Sequence, residues 1–239
     1  MSPCLRLAVG LVTLASAFGA SCQYPRDPEN TLDHVQGGVM RVGVVDNPPW
    51  VILGANEPRG VEPELLRQFA AEQDAEIEWV EGPESELVAA MEGFQLDILV
   101  GGLTFDSPWR EKVALTVPYV DTEIEFGVPQ GQELPPLEGA DIWVEENSEA
   151  AALLQSEEQA ANPIHYTELS QVDGPVLTDN YYIDALGYER AGQIQRDDDH
   201  VMAVPLGENA FMVELEDFLL DRTETAEAIL REEAEKEAR

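Results

Sequence analysis

Arg110 and Lys112, in the stretch GGLTFDSPWREK (residues 101–112), are the only basic side chains between Arg67 and Arg190, a span that holds 27 Asp and Glu residues. A lone arginine in such a span has a specific chemical use. Its guanidinium is a rigid fork that matches a carboxylate, and the Thr104 hydroxyl and backbone N–H groups following Gly101 and Gly102 can share the same anion. Glycine at 102 lets a ligand approach the main chain closely. Arg110 is therefore expected to clamp an anionic group. The competing expectation is an ordinary ion pair with one of the many surface carboxylates, and Lys112 is assigned to the surface.

Other candidates fall on segment ends. Trp50, after two prolines in DNPPW, is an aromatic on a stiffened loop that stacks on a ligand or makes a satellite core contact. Trp109 is either a ligand contact or a surface residue. Tyr119 is a hinge contact or a pocket wall. Asp179 is a helix cap, the acceptor for a ligand cation, or both. Asn147 and Ser148 begin a helix and offer hydrogen bonds to an anion. Tyr181 and Tyr182 are adjacent, so at most one is expected to face a cleft. His34, His165 and His200 are far apart in sequence and are assigned surface or structural places. No nucleophile–base pair, metal-ligand spacing or cofactor loop stands out, so no catalytic residue, metal or cofactor is assigned.

These residues need elements to hold them. MRVGVV is a β-branched strand, and DNPPW must be a loop because consecutive prolines cannot continue a central strand. VEPELLRQFAAEQ places Val61, Leu65, Leu66, Phe69 and Ala70 on one helical stripe, with acidic residues in its first turn. AEIEWVE alternates as a strand, SELVAAMEGF is helical and LDILVGGLT is a strand, an α/β alternation that implies a parallel sheet. In such sheets ligands bind beyond the C-terminal strand ends, where DNPPW and GGLT emerge. From 121 the pattern restarts. EIEFGVP and DIWVE are extended, NSEAAALLQSEEQA is helical, and IHYTEL is short and weak. GPVLTD is a strand end, NYYIDALGYERAG a helix, HVMAVPL a strand, and the C-terminal block is helical. The expected architecture is two α/β lobes around a central cleft with a two-crossing hinge: lobe 1 from 38–120 and 203–239, lobe 2 from 121–202.

The 239 residues carry a formal net charge of −35, from 13 basic and 48 acidic side chains. That excludes nucleic acid and anionic membrane surfaces as natural partners, because both would repel the chain. A hydrophobic fraction of 44% supports a core, so the acidity reads as a hydrated, halophilic type of surface. Residues 1–22, with the apolar run LAVGLVTLASAFG followed by GASC, read as a secretory signal ending in a candidate lipidated Cys22. With Cys4 removed, one cysteine is left and no internal disulfide can form. Residues 23–37 read as a polar tether.

Four stretches, MRVGVVDNPPW, GVEPELLRQFAAE, FQLDILVGGLTFDSPWREKVALTVPY and GPVLTDNYYIDALGYE, resemble the family 3 extracellular solute-binding proteins, the polar-amino-acid-binding type of ABC importer receptor. The resemblance covers about 39–225 and implies a periplasmic-binding-protein-like fold. It also implies that Arg110 takes a ligand α-carboxylate, Trp50 packs on the ligand side chain and Asp179 takes the α-ammonium. Several features depart from the family pattern. The interval from Gly102 to Arg110 is one residue longer and holds SPW where a charged residue usually precedes the Arg. ENSE stands where lobe 2 has a glycine-threonine pair, Gly174 stands where an Asp is common, and the second lobe is short. The implied protein is a monomeric receptor in the periplasm, anchored through lipid on Cys22, that delivers a small polar, amino-acid-like or carboxylate-bearing solute to the membrane permease of an ABC importer. The alternatives are a dehydratase-like periplasmic enzyme on the same fold and the binding component of a sensory system.

Overall fold

In a computed structural model, which describes residues 26–155 and 161–239, two mixed sheets of five strands each stand side by side. The proposed signal segment and Cys22 lie outside the described residues. Lobe 1 is built on β1 (Val39–Val44), β2 (Glu76–Glu81), β3 (Ile98–Val100), β4 (Val113–Leu115) and a late strand, β10 (Ala203–Pro205), in the order β2-β1-β3-β10-β4. β1 runs parallel to β2 and β3, whereas β10 is antiparallel to β3 and β4. The parallel pairs follow from the crossover helices α2 (Val61–Glu72) and α3 (Glu84–Glu92). Alternation along β3 feeds both faces of the sheet. Ile98 and Val100 join the cluster under α2, and Leu99 joins Leu87, Val88 and Met91 of α3.

Lobe 2 repeats the plan with β5 (Val120–Val128), β6 (Asp141–Glu145), β7 (Asn162–Tyr166), β8 (Val176–Asp179) and β9 (Glu189–His200), in the order β7-β6-β8-β5-β9. Two short helices, α4 (Glu149–Leu154) and α5 (Asn180–Ala185), follow β6 and β8. Ile142, Val144, Leu154 and Leu177 centre its core.

β9 departs from the sequence-based expectation, which carried a helix through 180–192. Gly187, at φ +67°, ends α5 in the left-handed region that glycine tolerates. ERAGQIQRDDDH then forms a 12-residue strand antiparallel to β5. Its polarity suits an edge position, where β5 supplies the apolar contacts and charged side chains blunt further strand pairing.

The hinge is a pair of crossings bonded to each other. Between β4 and β5, Thr116 N–H donates to the Met202 carbonyl at 2.9 Å and Tyr119 N–H to the His200 carbonyl at 3.0 Å. Met202 N–H returns a bond to Thr116 Oγ1 at 3.0 Å. Helices α6 (Asn209–Leu220) and α7 (Thr223–Glu237) complete the chain. Sequence alone places both on lobe 1, yet α7 packs on α5 of lobe 2 as well as on α2. Tyr182 of α5 donates its hydroxyl to Glu237.

Residues 26–37 are not a free tether. Asp27 accepts the Ala210 and Phe211 N–H groups at 2.7 and 3.1 Å, Glu208 accepts Thr31 N–H at 3.1 Å, and Val35 is fully buried. A short helix, α1 (Thr31–Val35), thus docks on lobe 1 through two carboxylates that satisfy helix-terminal N–H groups.

Candidate functional site

The parallel strands of both sheets aim their C-terminal ends at one cavity of about 360 Å³, within the range of small-ligand sites. Lobe 1 supplies Asn47, Pro48 and Trp50 after β1, and Gly102 and Thr104 after β3. Lobe 2 supplies Glu145 to Ala150 between β6 and α4, and Thr178, Asp179, Tyr181 and Tyr182 where β8 enters α5. Asp198 and His200, at the end of β9, line the hinge side.

Trp50 is a wall that is also core. It is 3% exposed, stacks on His200 at 3.7 Å between ring centroids, and meets Tyr119 and Tyr181 edge-on at 6.4 and 6.3 Å. Gly102 makes room for it. At φ +68° the residue sits in the left-handed region, and a Cβ there would lie 2.6 Å from both Trp50 Cδ1 and Asn47 Nδ2. The close approach anticipated at Gly102 is therefore that of a side chain of this protein.

Beneath Gly102 lies Glu62, from the first turn of α2, with no solvent exposure. One carboxylate oxygen accepts the Gly101 and Gly102 N–H groups, each at 2.9 Å, and the other accepts the Tyr119 hydroxyl at 2.9 Å. These two glycine N–H groups are thereby already bonded. Tyr119, which does not line the cavity, is held in the hinge by the same carboxylate. Burial pushes the Glu62 carboxyl up to about 7, partly offset by the hydrogen bonds from Gly102, Tyr119 and Gly101.

Asp179 faces the cavity at the start of α5 without capping the helix through its side chain. Burial, reinforced by the charges of Asp198 and Glu145, pushes its carboxyl up to about 7. Burial likewise raises Glu145 and Glu149, the latter against the pull of Arg196. His200 is pressed down to about 3 by burial, so the imidazole beside Trp50 is neutral at physiological pH. Ser148 lines the cavity as the cap of α4, with its hydroxyl donating to the Glu145 carbonyl at 2.9 Å and accepting from Ala151 N–H at 3.1 Å. Thr104 also lines the cavity, and its backbone bridges to His200. Both tyrosines of α5 reach the cavity, although adjacent helix positions were expected to send only one there. The bend between β8 and α5 explains the pair, whose rings sit 4.6 Å apart.

Arg110 does not stand where the sequence-based expectation put it. It is exposed and does not line the cavity. Its neighbours tie the turn to α3 on the outside of lobe 1: Trp109 Nε1 donates to Glu84, and Lys112 pairs with Glu92 at 3.1 Å. The guanidinium beside the cavity belongs instead to Arg196, engaged by Glu149 at 2.7 Å and Asp198 at 2.8 Å. The sequence-based candidates omitted Glu62, Glu145, Asp198 and His200. The clue for Glu62 was an acid between the buried residues Val61 and Pro63 at the helix start, although Glu64 in the same turn blurs that signal.

The family model described as bacterial extracellular solute-binding proteins, family 3, matches residues 40–232. The chain belongs to that family. Among solved structures, this family 3 solute-binding protein is similar to an ancestral cationic amino acid solute-binding protein, at 16% identity over 85% of this chain and 99% of that one, with TM-score 0.69. It is also similar to an amino acid ABC transporter substrate-binding protein from Streptococcus pneumoniae bound to L-arginine, at 15% identity over 85% and 97% of the two chains, TM-score 0.59. At these identities the likeness concerns the two-lobe fold. A curated relative is the membrane-bound lytic murein transglycosylase F of Vibrio cholerae, 32% identical over 104 residues, which are 43% of this chain. The match spans 19% of that relative's length.

Proposed function

We propose that the protein is an extracytoplasmic receptor that captures a small polar, amino-acid-like solute through a positively charged nitrogen and delivers it to the permease of an ABC importer. The observation that carries this reading is the cavity between the lobes, with Asp179 on one wall and the Trp50 indole on another. A carboxylate beside aromatic faces is a cation site: the charge pairs with Asp179, and Trp50 or Tyr181 adds cation–π attraction. Thr104, Ser148 and the edge of Gly102 shape the remaining wall. Periplasmic export and anchoring through lipid on Cys22 belong to the same proposal, as does a monomeric receptor.

The experiment is a thermal-shift screen of amino acids, amines, betaines and small dicarboxylates, with small-angle scattering on each hit. A ligand at a hundred times its Kd stabilises the folded state by about 2.7 kcal/mol, which moves the melt measurably. Hits that also compact the particle support hinge closure. A full panel without a shift removes the receptor reading.

A second reading rests on Asp179 itself. A cavity-facing carboxyl near pH 7 suits a general acid or base, so an enzyme on this fold has one of its parts. Incubation of each hit with the protein, followed by NMR, separates the readings: a receptor returns its ligand unchanged.

A further inference from the structure

We infer that the cleft recognises its solute through positive charge alone, so that its ligand is an amine or guanidine without a carboxylate. This inference rests on the receptor reading above and narrows it. Among the described residues, the lining holds five carboxylates, from Glu145, Glu146, Glu149, Asp179 and Asp198, and no lysine or arginine. A ligand carboxylate entering this field meets net repulsion, weakened at Glu149 and Asp198 by their pairing with Arg196 and at Glu145 and Glu146 by their exposure to water.

Several of the donors that would relieve such repulsion are engaged elsewhere, and the Thr104 hydroxyl and Asn147 amide are the uncharged donors left in the lining. The Gly101 and Gly102 N–H groups end on Glu62, a fully buried carboxylate. The Ser148 hydroxyl donates to Glu145, and the Asn47 amide donates to the Gly101 carbonyl at 2.8 Å. Arg196 is held by two carboxylates and so brings no net positive charge. Arg110 sits outside the cavity, on a turn fastened to α3. Acceptors remain: among the described residues Asp179 pairs with no lysine or arginine, and it lies within the field of Asp198 and Glu145. Acceptors on several sides, with aromatic walls between them, fit a ligand that carries a cation at each end of an apolar stem.

The test compares two solutes that differ only in the carboxylate, (4-aminobutyl)guanidine and L-arginine, by calorimetric titration of the parent protein and of Asp179→Asn. Titration in high salt suppresses loose attraction to the acidic surface. The expected result is binding of (4-aminobutyl)guanidine at least tenfold tighter than L-arginine, with most of that affinity lost in Asp179→Asn. L-arginine bound as tightly or more tightly overturns the inference. So does a melt raised by L-glutamate or another carboxylate-bearing solute when (4-aminobutyl)guanidine has no effect, although the receptor reading then survives. If nothing in the panel binds, both fail together.

Discussion

Glu62 and Gly102 are joined by a hydrogen bond of 2.9 Å that runs from the backbone of the β3 exit to a carboxylate buried in the first turn of α2. The Tyr119 hydroxyl completes the arrangement from the hinge. One side chain thus ties a cleft loop, a helix start and a lobe crossing together, so its protonation affects folding and not only binding.

With its carboxyl at about 7 in the folded chain and 4.5 as the ordinary value, Glu62 binds more protons folded than unfolded between those limits. Its contribution to stability therefore declines as pH rises from about 4.5 through about 7. Glu62→Gln keeps an acceptor for the glycine N–H groups and removes the titration. Denaturant melts across that range should show the parent losing stability relative to Glu62→Gln as pH rises. A difference independent of pH contradicts the assignment. His200, held neutral and low, acts oppositely in both proteins and cancels in the comparison.

Asp97 is a second structural carboxylate. It is fully buried and accepts the Arg41 backbone N–H at 2.7 Å, the Arg41 guanidinium, and His34 Nε2 at 2.9 Å. Asp97→Ala leaves a partly buried guanidinium unpaired, at a cost of about 3–5 kcal/mol in chemical denaturation. A loss under about 1 kcal/mol would mean that Arg41 finds water at no cost.

Gly102→Ala tests the packing of the cleft wall. The added methyl group meets Trp50 and Asn47, and the residue must hold a positive φ, so a loss of roughly 1–3 kcal/mol is expected. Tryptophan emission should shift as Trp50 leaves its stack on His200. A parent-like melt and spectrum would show that the wall yields without strain.

Arg110→Ala should leave ligand affinity within about twofold and the melt unchanged, because the side chain is exposed and away from the cavity. A thirtyfold loss, about 2 kcal/mol, would return it to the role of anion clamp.

Arg110 also marks where sequence reasoning stopped. Its isolation in an acidic span was visible, but the direction of its turn depends on Trp109 packing toward α3, a contact between residues far apart in the chain. Trp50 and Asp179 were legible because they stand at strand ends, and the α/β alternation located those ends. β1, β2 and β3 were legible for a related reason, since β-branched runs and the apolar stripe of α2 have clear periods, whereas the three-residue β4 was too short to read. β9 was not, because an edge strand with a polar face carries no apolar alternation. Glu62 was hidden by partners 39 to 57 residues away. In a chain of net charge −35, Glu145 and Asp198 look like any other solvated carboxylates.

The central claim is that Asp179 receives the cation of the ligand, and its pH dependence tests that claim most directly. The free carboxyl lies at about 7, and a cation binds only its ionised form. Protons therefore compete with the ligand below that pH, so affinity should fall as pH drops from 8 to 5.5, by up to about tenfold per unit. The measurement is calorimetric titration of the parent and Asp179→Asn with (4-aminobutyl)guanidine across that range. The account predicts a thirtyfold or greater loss in Asp179→Asn at pH 8, about 2 kcal/mol, and a flatter pH profile in the variant. Equal affinities for the two proteins, with parallel pH profiles, would contradict it.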